Sequence, residues 1–481
     1  MMPILSEVRN RAKQVFDRIS NERVKKNILQ AIPFWVGSLL TGLVAVLYAH
    51  LFSWAEAGTA WVMDHYRWGL FLLTPVCFLL AWWLVVRWSP FARGSGIPQV
   101  IAAIELATPR DAHKTNRLLS LRVLLVKIGS SLLMVFGGGI VGREGPTIQI
   151  AGSIFRKVNQ WLPSWWPAIS KRNMILTGAA AGLAAAFNTP LGGFVFTVEE
   201  LTKTHISFFR TALFTAIIIA GLTAQALLGP YLYLGYPDVN NLSPWLFFTV
   251  ILVAIVAGSA GAGMAKLILR TLAWAGALSR SRKAWYVAGC ALLVAAMGYF
   301  FHSAAIGSGK EIMTHTLFTA DKHLPWYLPL LRMLGSLVSF TTGAAGGVFA
   351  PSLSAGAAIG SVLSGWLELS PTNTNLIILA GMVAFLTGVT RTPFTSAILV
   401  LEMTDRHGVI FHLMLAAMIA GLAAYLIDKR SFYDHLKTKF VQELEKQPAQ
   451  KELLSSPQPS AGADCSTTDQ PLPPEAPAGK L

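Results

Sequence analysis

The chain has 481 residues, of which 53% are hydrophobic and only 13% are charged. Soluble domains carry about 25% charged residues, so this composition excludes an ordinary soluble enzyme. Apolar runs of about 20 residues can span a bilayer, and they recur here at residues 32–52, 69–86, 246–265, 284–301 and 409–427. The sequence therefore predicts an all-α polytopic membrane protein without enzymatic activity.

The formal net charge of +15 could indicate nucleic-acid binding, but the basic residues lie beside the apolar runs. They precede the first run, crowd a loop at residues 110–122 and follow the last run. Basic residues that flank membrane spans mark the cytoplasmic side. We therefore expect membrane lipid rather than nucleic acid as a partner, and both termini in the cytoplasm.

The domain organisation is predicted from the same pattern. Residues 1–30 are expected to form a cytoplasmic N-terminal segment and residues 31–439 a transmembrane transport domain. Residues 440–481 are expected to form a disordered cytoplasmic tail, because Pro, Ala, Ser and Gln dominate from residue 447 onward. Three scattered cysteines and ten histidines without metal-ligand spacing predict no disulfide framework, no metal site and no cofactor.

Three landmarks occur in the same order in both halves of the chain. They are a "GSG" motif, a glycine-rich turn that ends in proline, and a "TP" pair with its proline nine residues before a glutamate. In the first half they lie at Gly94–Gly96, Gly142–Pro146 and Pro190–Glu199, and in the second at Gly307–Gly309, Gly347–Pro351 and Pro393–Glu402. The sequence thus predicts two repeats of broken helices, at about 31–210 and 245–430. Such paired interruptions indicate a transporter's binding site.

The glycine-rich turns have the chemistry of an anion site. Pro146 and Pro351 are each expected to open a helix, and Pro98 plays the same part in "GSGIP". A helix N-terminus carries unpaired amides and about +0.5 elementary charge, which favour a bound anion. The Ser95 hydroxyl adds a donor. Three such turns would bind an anion without a full positive charge, which lets the anion leave again.

Glu144 stands inside one of these turns, next to Arg143. Its carboxylate could occupy the anion site itself and compete with the transported ion, and protonation would then release the site. The alternative is a loop carboxylate paired with Arg143. Acidic residues in membrane segments are costly, so a functional role is the default expectation.

Other polar residues keep two interpretations. Glu199 and Glu200 either act in transport or form a solvated helix end, and Glu402 is expected to be structural or interfacial. Lys127, within an apolar segment, either balances a buried acid or extends its ammonium group to the interface. By pattern alone, Tyr433 is an ordinary interfacial aromatic residue.

The motifs together resemble those of the CLC family of chloride channels and chloride/proton antiporters, in its bacterial branch without regulatory domains. The resemblance covers residues from about 32 to 439, and its motifs follow one another in the family's order. They are "GSGIP" (Gly94–Pro98), "GREGP" (Gly142–Pro146), "GAAAGLAAAFNTPLGGFVFTVEEL" (Gly178–Leu201) and "GGVFAP" (Gly346–Pro351).

This resemblance implies a homodimer in which each subunit has its own anion pathway, built from tilted helices in two inverted repeats. It implies that Glu144 is the external gate and that Glu200 passes protons from the cytoplasmic side. It also implies that the central chloride site is lined by Ser95, Tyr433 and the backbone amides of Val348 and Phe349. The segment "RSFYDHL", which contains Tyr433, matches the family only loosely.

Chloride/proton antiport across the bacterial inner membrane is the leading functional hypothesis. The alternative is a passive voltage- or pH-gated chloride channel on the same scaffold. An acid at Glu200 favours exchange, because channel members of the family usually lack it. A permease for cations or organic solutes would instead predict carboxylates along the path, not amide-rich helix starts.

Overall fold

A computed structural model describes residues 21–108, 110–202, 210–229, 233–240 and 242–455. In these ranges the chain is helical, and the β-type pairing consists of two isolated bridges between loops. The chain forms two compact units that divide after Phe440. The features described below lie in the first unit, apart from the last turns of the final helix.

The described residues of the first half contain nine α-helices, one of which is followed by a π-helical turn. They are α1 (Glu22–His65), α2 (Leu70–Trp88), α3 (Ile97–Glu105), α4 (Thr115–Leu118), α5 (Leu121–Phe136), α6 (Glu144–Trp161), α7 (Lys171–Phe187), α8 (Pro190–Phe196) with the π-helical turn Thr197–Thr202, and α9 (Arg210–Leu228).

The second half of the described chain also contains nine α-helices. They are α10 (Leu246–Gly276), α11 (Arg280–Phe301), α12 (Lys310–Phe318), α13 (Leu328–Thr341), α14 (Phe349–Trp366), α15 (Pro371–Thr390), α16 (Pro393–Thr404), α17 (Ile410–Ile427) and α18 (Phe432–Ser455).

The two halves repeat the same order of helices. With the four-residue helix α4 left aside, α1–α9 match α10–α17 one for one. The match pairs α9 with α17, which have 19 and 18 residues. The first repeat therefore extends through α9 to Leu228, beyond the predicted boundary at residue 210. That boundary was set from sequence motifs, and α9 carries none.

Eight helical stretches among the described residues are long and apolar enough to cross a membrane. They contain α1, α2, α5, α9, α10, α11, α15 and α17, and all five apolar runs predicted from the sequence lie within them. By contrast, α3 and α12 have nine residues each and α8 has seven. Nine residues extend about 14 Å, roughly half of the hydrocarbon core. The predicted polytopic all-α fold with incomplete helices is confirmed.

The halves cap each other's helices. Glu199, which follows α8, accepts hydrogen bonds from the second and third amides of α16 at 3.1 and 2.7 Å. Glu402, near the end of α16, accepts hydrogen bonds from the second and third amides of α8 at 3.1 and 2.8 Å. Reciprocal contacts of this kind are what a two-fold relation between repeats requires. The structural role predicted for Glu402 is confirmed.

Both predicted terminal segments are partly helical. Helix α1 begins at Glu22, where the Asn21 side chain accepts hydrogen bonds from two amides of the first turn. Helix α18 continues to Ser455, so the predicted disorder does not begin at residue 440. Apart from Pro448, residues 442–454 are strong helix formers, mainly Glu, Lys, Gln and Leu. Residues 1–20 and 456–481 lie outside the described residues.

Candidate functional site

The three glycine-rich turns meet through backbone hydrogen bonds. Gly142 and Gly347 exchange two bonds, each 2.8 Å long. The Gly94 amide donates to the Ala344 carbonyl at 2.8 Å, and the Gly94 carbonyl accepts from the Gly346 amide at 3.0 Å. The turns that were predicted to form one anion pocket are therefore in direct contact, although they lie far apart in the sequence.

A helix begins directly after each turn. Helices α6 and α14 begin at Glu144 and Phe349, two residues before the prolines that were predicted to open them. Each proline lies in the first helical turn, where its missing N–H costs no intrahelical hydrogen bond. Helix α3 begins after Gly96, whose φ of 109° is in the left-handed region. Three helix N-termini thus converge on one region of the protein.

Ser95 is buried against the first turn of α6. A Cβ atom added to Gly145 would collide with the Ser95 hydroxyl and lie 3.0 Å from its carbonyl oxygen. The glycine is therefore required for this close approach of the two turns. Among the described residues the Ser95 Oγ has no hydrogen-bond partner, although it is inaccessible to solvent.

Tyr433, near the start of α18, is fully buried. Its ring stacks on Phe349, with 6.3 Å between the centroids and an interplanar angle of 12°. Its hydroxyl faces Ser95 without a well-formed hydrogen bond, and the described chain provides it no other partner. The interfacial position that the pattern alone predicts for Tyr433 is wrong, because the chain folds back after α17 and buries the ring beneath α14.

Two buried hydroxyls without partners are costly, at about 1–3 kcal/mol each. An anion that accepts hydrogen bonds from both would remove that cost. Val348 and Phe349 are also buried, at the start of α14, where helix amides are unpaired. Ser95, Tyr433, Val348 and Phe349, the four residues that the family resemblance implies for the chloride site, therefore lie close together.

Glu144 is the first residue of α6 and is only 1% exposed. Its Oε1 accepts a hydrogen bond from the Tyr233 hydroxyl at 3.5 Å, and the backbone amide of Ala350 in α14 also faces the carboxylate. The carboxylate thus lies between the N-termini of α6 and α14. A Cβ atom on Gly142 would collide with its Oε2. The alternative of a loop carboxylate is wrong, since Glu144 is helical and buried.

Lys127 stabilises the turn that contains Ser95. Its fully buried ammonium group donates hydrogen bonds to the carbonyls of Ala92 and Gly94, each at 2.8 Å. Within the described part of the chain, no carboxylate pairs with it. Both sequence-based interpretations of Lys127 are therefore wrong: it neither balances an acid nor reaches the interface. Its partners are backbone carbonyls, which no side-chain pattern reveals.

Glu200 is buried in the π-helical turn, while its neighbour Glu199 caps α16. The predicted alternative of a solvated helix end is therefore wrong for Glu200, whereas Glu199 is partly exposed and caps a helix of the other half. A cavity of about 480 Å³ reaches both acids and is also lined by Arg391, Lys429 and Asp434. Lys429 and Asp434 lie in the segment that follows the last span.

A second cavity, of about 260 Å³, reaches Glu144. Its polar lining, in the described residues, comprises His50, Ser53, Glu56, Arg143, Glu144, Tyr233, Ser308 and Lys310. No described residue lines both this cavity and the one at Glu200. The sequence analysis missed Glu56, Tyr233 and Lys310. Glu56 could have been found, because it is an acid within the helix of the first membrane span.

Residues 77–425 match the sequence profile of the voltage-gated chloride channel family. The chain is 30% identical over 437 residues to the H⁺/Cl⁻ exchange transporter ClcA of Salmonella typhimurium, covering 86% of this chain and 89% of the relative. It is 31% identical over 446 residues to ClcA of Salmonella gallinarum, covering 88% and 90%.

Solved structures share the fold. The crystal structure of a slow cyanobacterial Cl⁻/H⁺ antiporter aligns with a TM-score of 0.76 at 23% identity, covering 86% of this chain and 98% of that chain. A eukaryotic CLC transporter aligns with a TM-score of 0.68 at 20% identity, covering 85% and 74%.

Proposed function

Because the chain belongs to the voltage-gated chloride channel family, we propose that it exchanges chloride for protons, with Glu144 as a gate that competes for the anion site. One observation carries the proposal. The Glu144 carboxylate is buried between the N-termini of α6 and α14, where the charge of the helix ends favours an anion.

In this proposal, chloride binds at the helix N-termini that the carboxylate otherwise occupies. The hydroxyls of Ser95 and Tyr433, which have no partner in the described chain, donate to the ion, together with the amides of Val348 and Phe349. Hydroxyls and amides carry partial charges, so the ion is held without a fixed full charge at its side. Binding of this strength permits both entry and release.

The gate works through the charge of Glu144. As a carboxylate, it is attracted to the same helix ends as chloride, and the two exclude each other. Protonation removes that attraction, so the side chain leaves and chloride enters. A proton that reaches Glu144 through the 260 Å³ cavity is thereby coupled to the movement of an anion.

Glu200 is proposed to transfer protons between the cytoplasm and Glu144. Its cavity is separate from the one at Glu144, which supports two routes that share only the outer part of the path. Although the cavity reaches Glu200, only 3% of the residue is exposed, so solvent does not replace the acid at this position.

The test is paired chloride and proton flux in liposomes. In the unmodified protein, a chloride gradient should drive protons uphill, whereas a passive channel would move chloride alone. Glu144→Gln should pass chloride without protons and without dependence on pH. Glu200→Gln should also lose proton transport, while its chloride flux still responds to external pH. Full coupling in Glu144→Gln would refute the gate mechanism.

We further propose a multi-pass protein of the bacterial inner membrane, with both termini in the cytoplasm and with two subunits. The basic residues beside the spans support this orientation, and the family resemblance supports the dimer. Labelling of single cysteines near residues 26 and 437 from either side of the membrane tests the orientation. Mass measurement of the purified protein in lipid nanodiscs tests the dimer.

A further inference from the structure

Tyr233 lies in the connection between α9 and α10, which joins the two repeats, and its side chain is buried. Its hydroxyl donates to Oε1 of Glu144 at 3.5 Å, a weak contact that is longer than the usual O–H···O distance of about 2.5–3.0 Å. We propose that Tyr233 is a positioning residue that holds the Glu144 carboxylate in the anion site and thereby sets the external pH at which the gate opens. This inference rests on the proposed role of Glu144.

Three contacts fix Tyr233 in this position. Its ring meets the Phe187 ring edge to face, with 5.3 Å between the centroids and an interplanar angle of 77°. The ammonium group of Lys310 lies 5.1 Å from the centroid of the Tyr233 ring. The amide of the next residue, Leu234, donates to the Met403 carbonyl at 3.2 Å. The Phe187 ring and the Lys310 ammonium group therefore hold the Tyr233 ring in the position from which its hydroxyl contacts Glu144.

The hydroxyl acts on the charged form of Glu144. A hydrogen bond to a carboxylate stabilises it relative to the protonated acid, which leaves the anion site. A phenol does this without adding a full charge that would hold chloride too strongly. Loss of the donor should therefore let Glu144 take up a proton and leave at a higher external pH.

Other groups around the carboxylate also influence its proton affinity. The titratable or charged groups that face it come from α1, α12, α18 and its own turn: His50, Glu56, Lys310, Tyr48, Tyr433 and Arg143. The positive groups favour the carboxylate and Glu56 opposes it. All of them remain when only the Tyr233 hydroxyl is removed, so Tyr233→Phe isolates the effect of one donor.

The experiment measures chloride flux from liposomes while the external pH alone is varied. Tyr233→Phe keeps the ring and its contacts with Phe187 and Lys310. The pH of half-maximal flux should rise by about 0.5–1 unit, the size expected from one weak hydrogen bond to a carboxylate. Tyr286→Phe is the matched control. It loses a 2.6 Å hydrogen bond to Thr341 and should leave the pH profile unchanged.

A second measurement separates positioning from packing. In the Glu144→Gln background, Tyr233→Phe should change neither flux nor pH response, because its target carboxylate is gone. An equal change in both backgrounds would overturn the proposal, as would an unshifted pH profile in the single variant. Either result would overturn the role of Tyr233 but not the proposal that Glu144 is the gate. Full coupling in Glu144→Gln would refute both.

Discussion

Neighbouring acids should have separable tasks, and Glu199→Gln tests this. The Glu199 carboxylate accepts three hydrogen bonds from the start of α16, two from amides and one from the Thr395 hydroxyl at 2.7 Å. Each bond to a charged group contributes about 1.5–3 kcal/mol. Glutamine keeps one acceptor oxygen and turns its NH₂ group toward a donor, so one or two bonds are lost. Because Glu199 is partly exposed, water replaces part of the loss, and we expect about 1–2 kcal/mol.

The assay is thermal unfolding in detergent at a fixed heating rate, since membrane proteins commonly unfold irreversibly. The melting temperature of Glu199→Gln should fall by about 1–2 °C, because a chain of this length unfolds with an entropy of about 1 kcal/mol per kelvin, and proton coupling should be retained. Glu200→Gln is the matched control: it removes the same charge one residue away and none of these cap bonds. It should melt within about 0.5 °C of the unmodified protein and lose proton transport. If Glu199→Gln lost proton coupling but melted at an unchanged temperature, the assignment of capping to Glu199 and proton transfer to Glu200 would be refuted.

Three further predictions concern the anion site. Lys127→Met removes both hydrogen bonds that support the Ser95 turn, and chloride affinity measured by calorimetry should fall about tenfold; unchanged affinity would contradict the supporting role. Gly145→Ala should abolish chloride binding, because its Cβ collides with Ser95, whereas Gly152→Ala in the same helix meets atoms only at 3.6 Å and should bind normally. Ser95→Pro removes a hydroxyl donor to the ion and should shift relative flux from chloride toward nitrate; an unaltered chloride-to-nitrate ratio would count against Ser95 as an ion contact.

Features encoded by local patterns could be predicted from the sequence. The apolar runs locate the spans, because a bilayer demands long apolar helices. The glycine and proline turns indicate the anion pocket, because they combine close backbone approach with helix starts. Glu144 is predicted to be functional for the same reason: an acid inside such a turn has few structural explanations.

Features that depend on distant backbone atoms could not be predicted. Lys127 bonds to carbonyls 35 and 33 residues earlier, and carbonyls leave no mark in a side-chain pattern. Tyr433 is buried because the chain turns back after α17, which its local sequence does not specify. Tyr233 lies in a connection without periodicity, and its contact with Glu144 spans 89 residues.

The paired bonds between Gly142 and Gly347 also bear on how the protein is made. These residues are separated by 347 − 142 = 205 positions. At about 5–20 residues per second, a ribosome needs roughly 10–40 s to reach the second glycine after the first. During that interval Gly347 does not yet exist, so Gly142 lacks its two hydrogen bonds and Glu144 lacks its contacts with the second half. The bonds to Gly347 and the contact of Glu144 with the Ala350 amide therefore form only after the second half is synthesised.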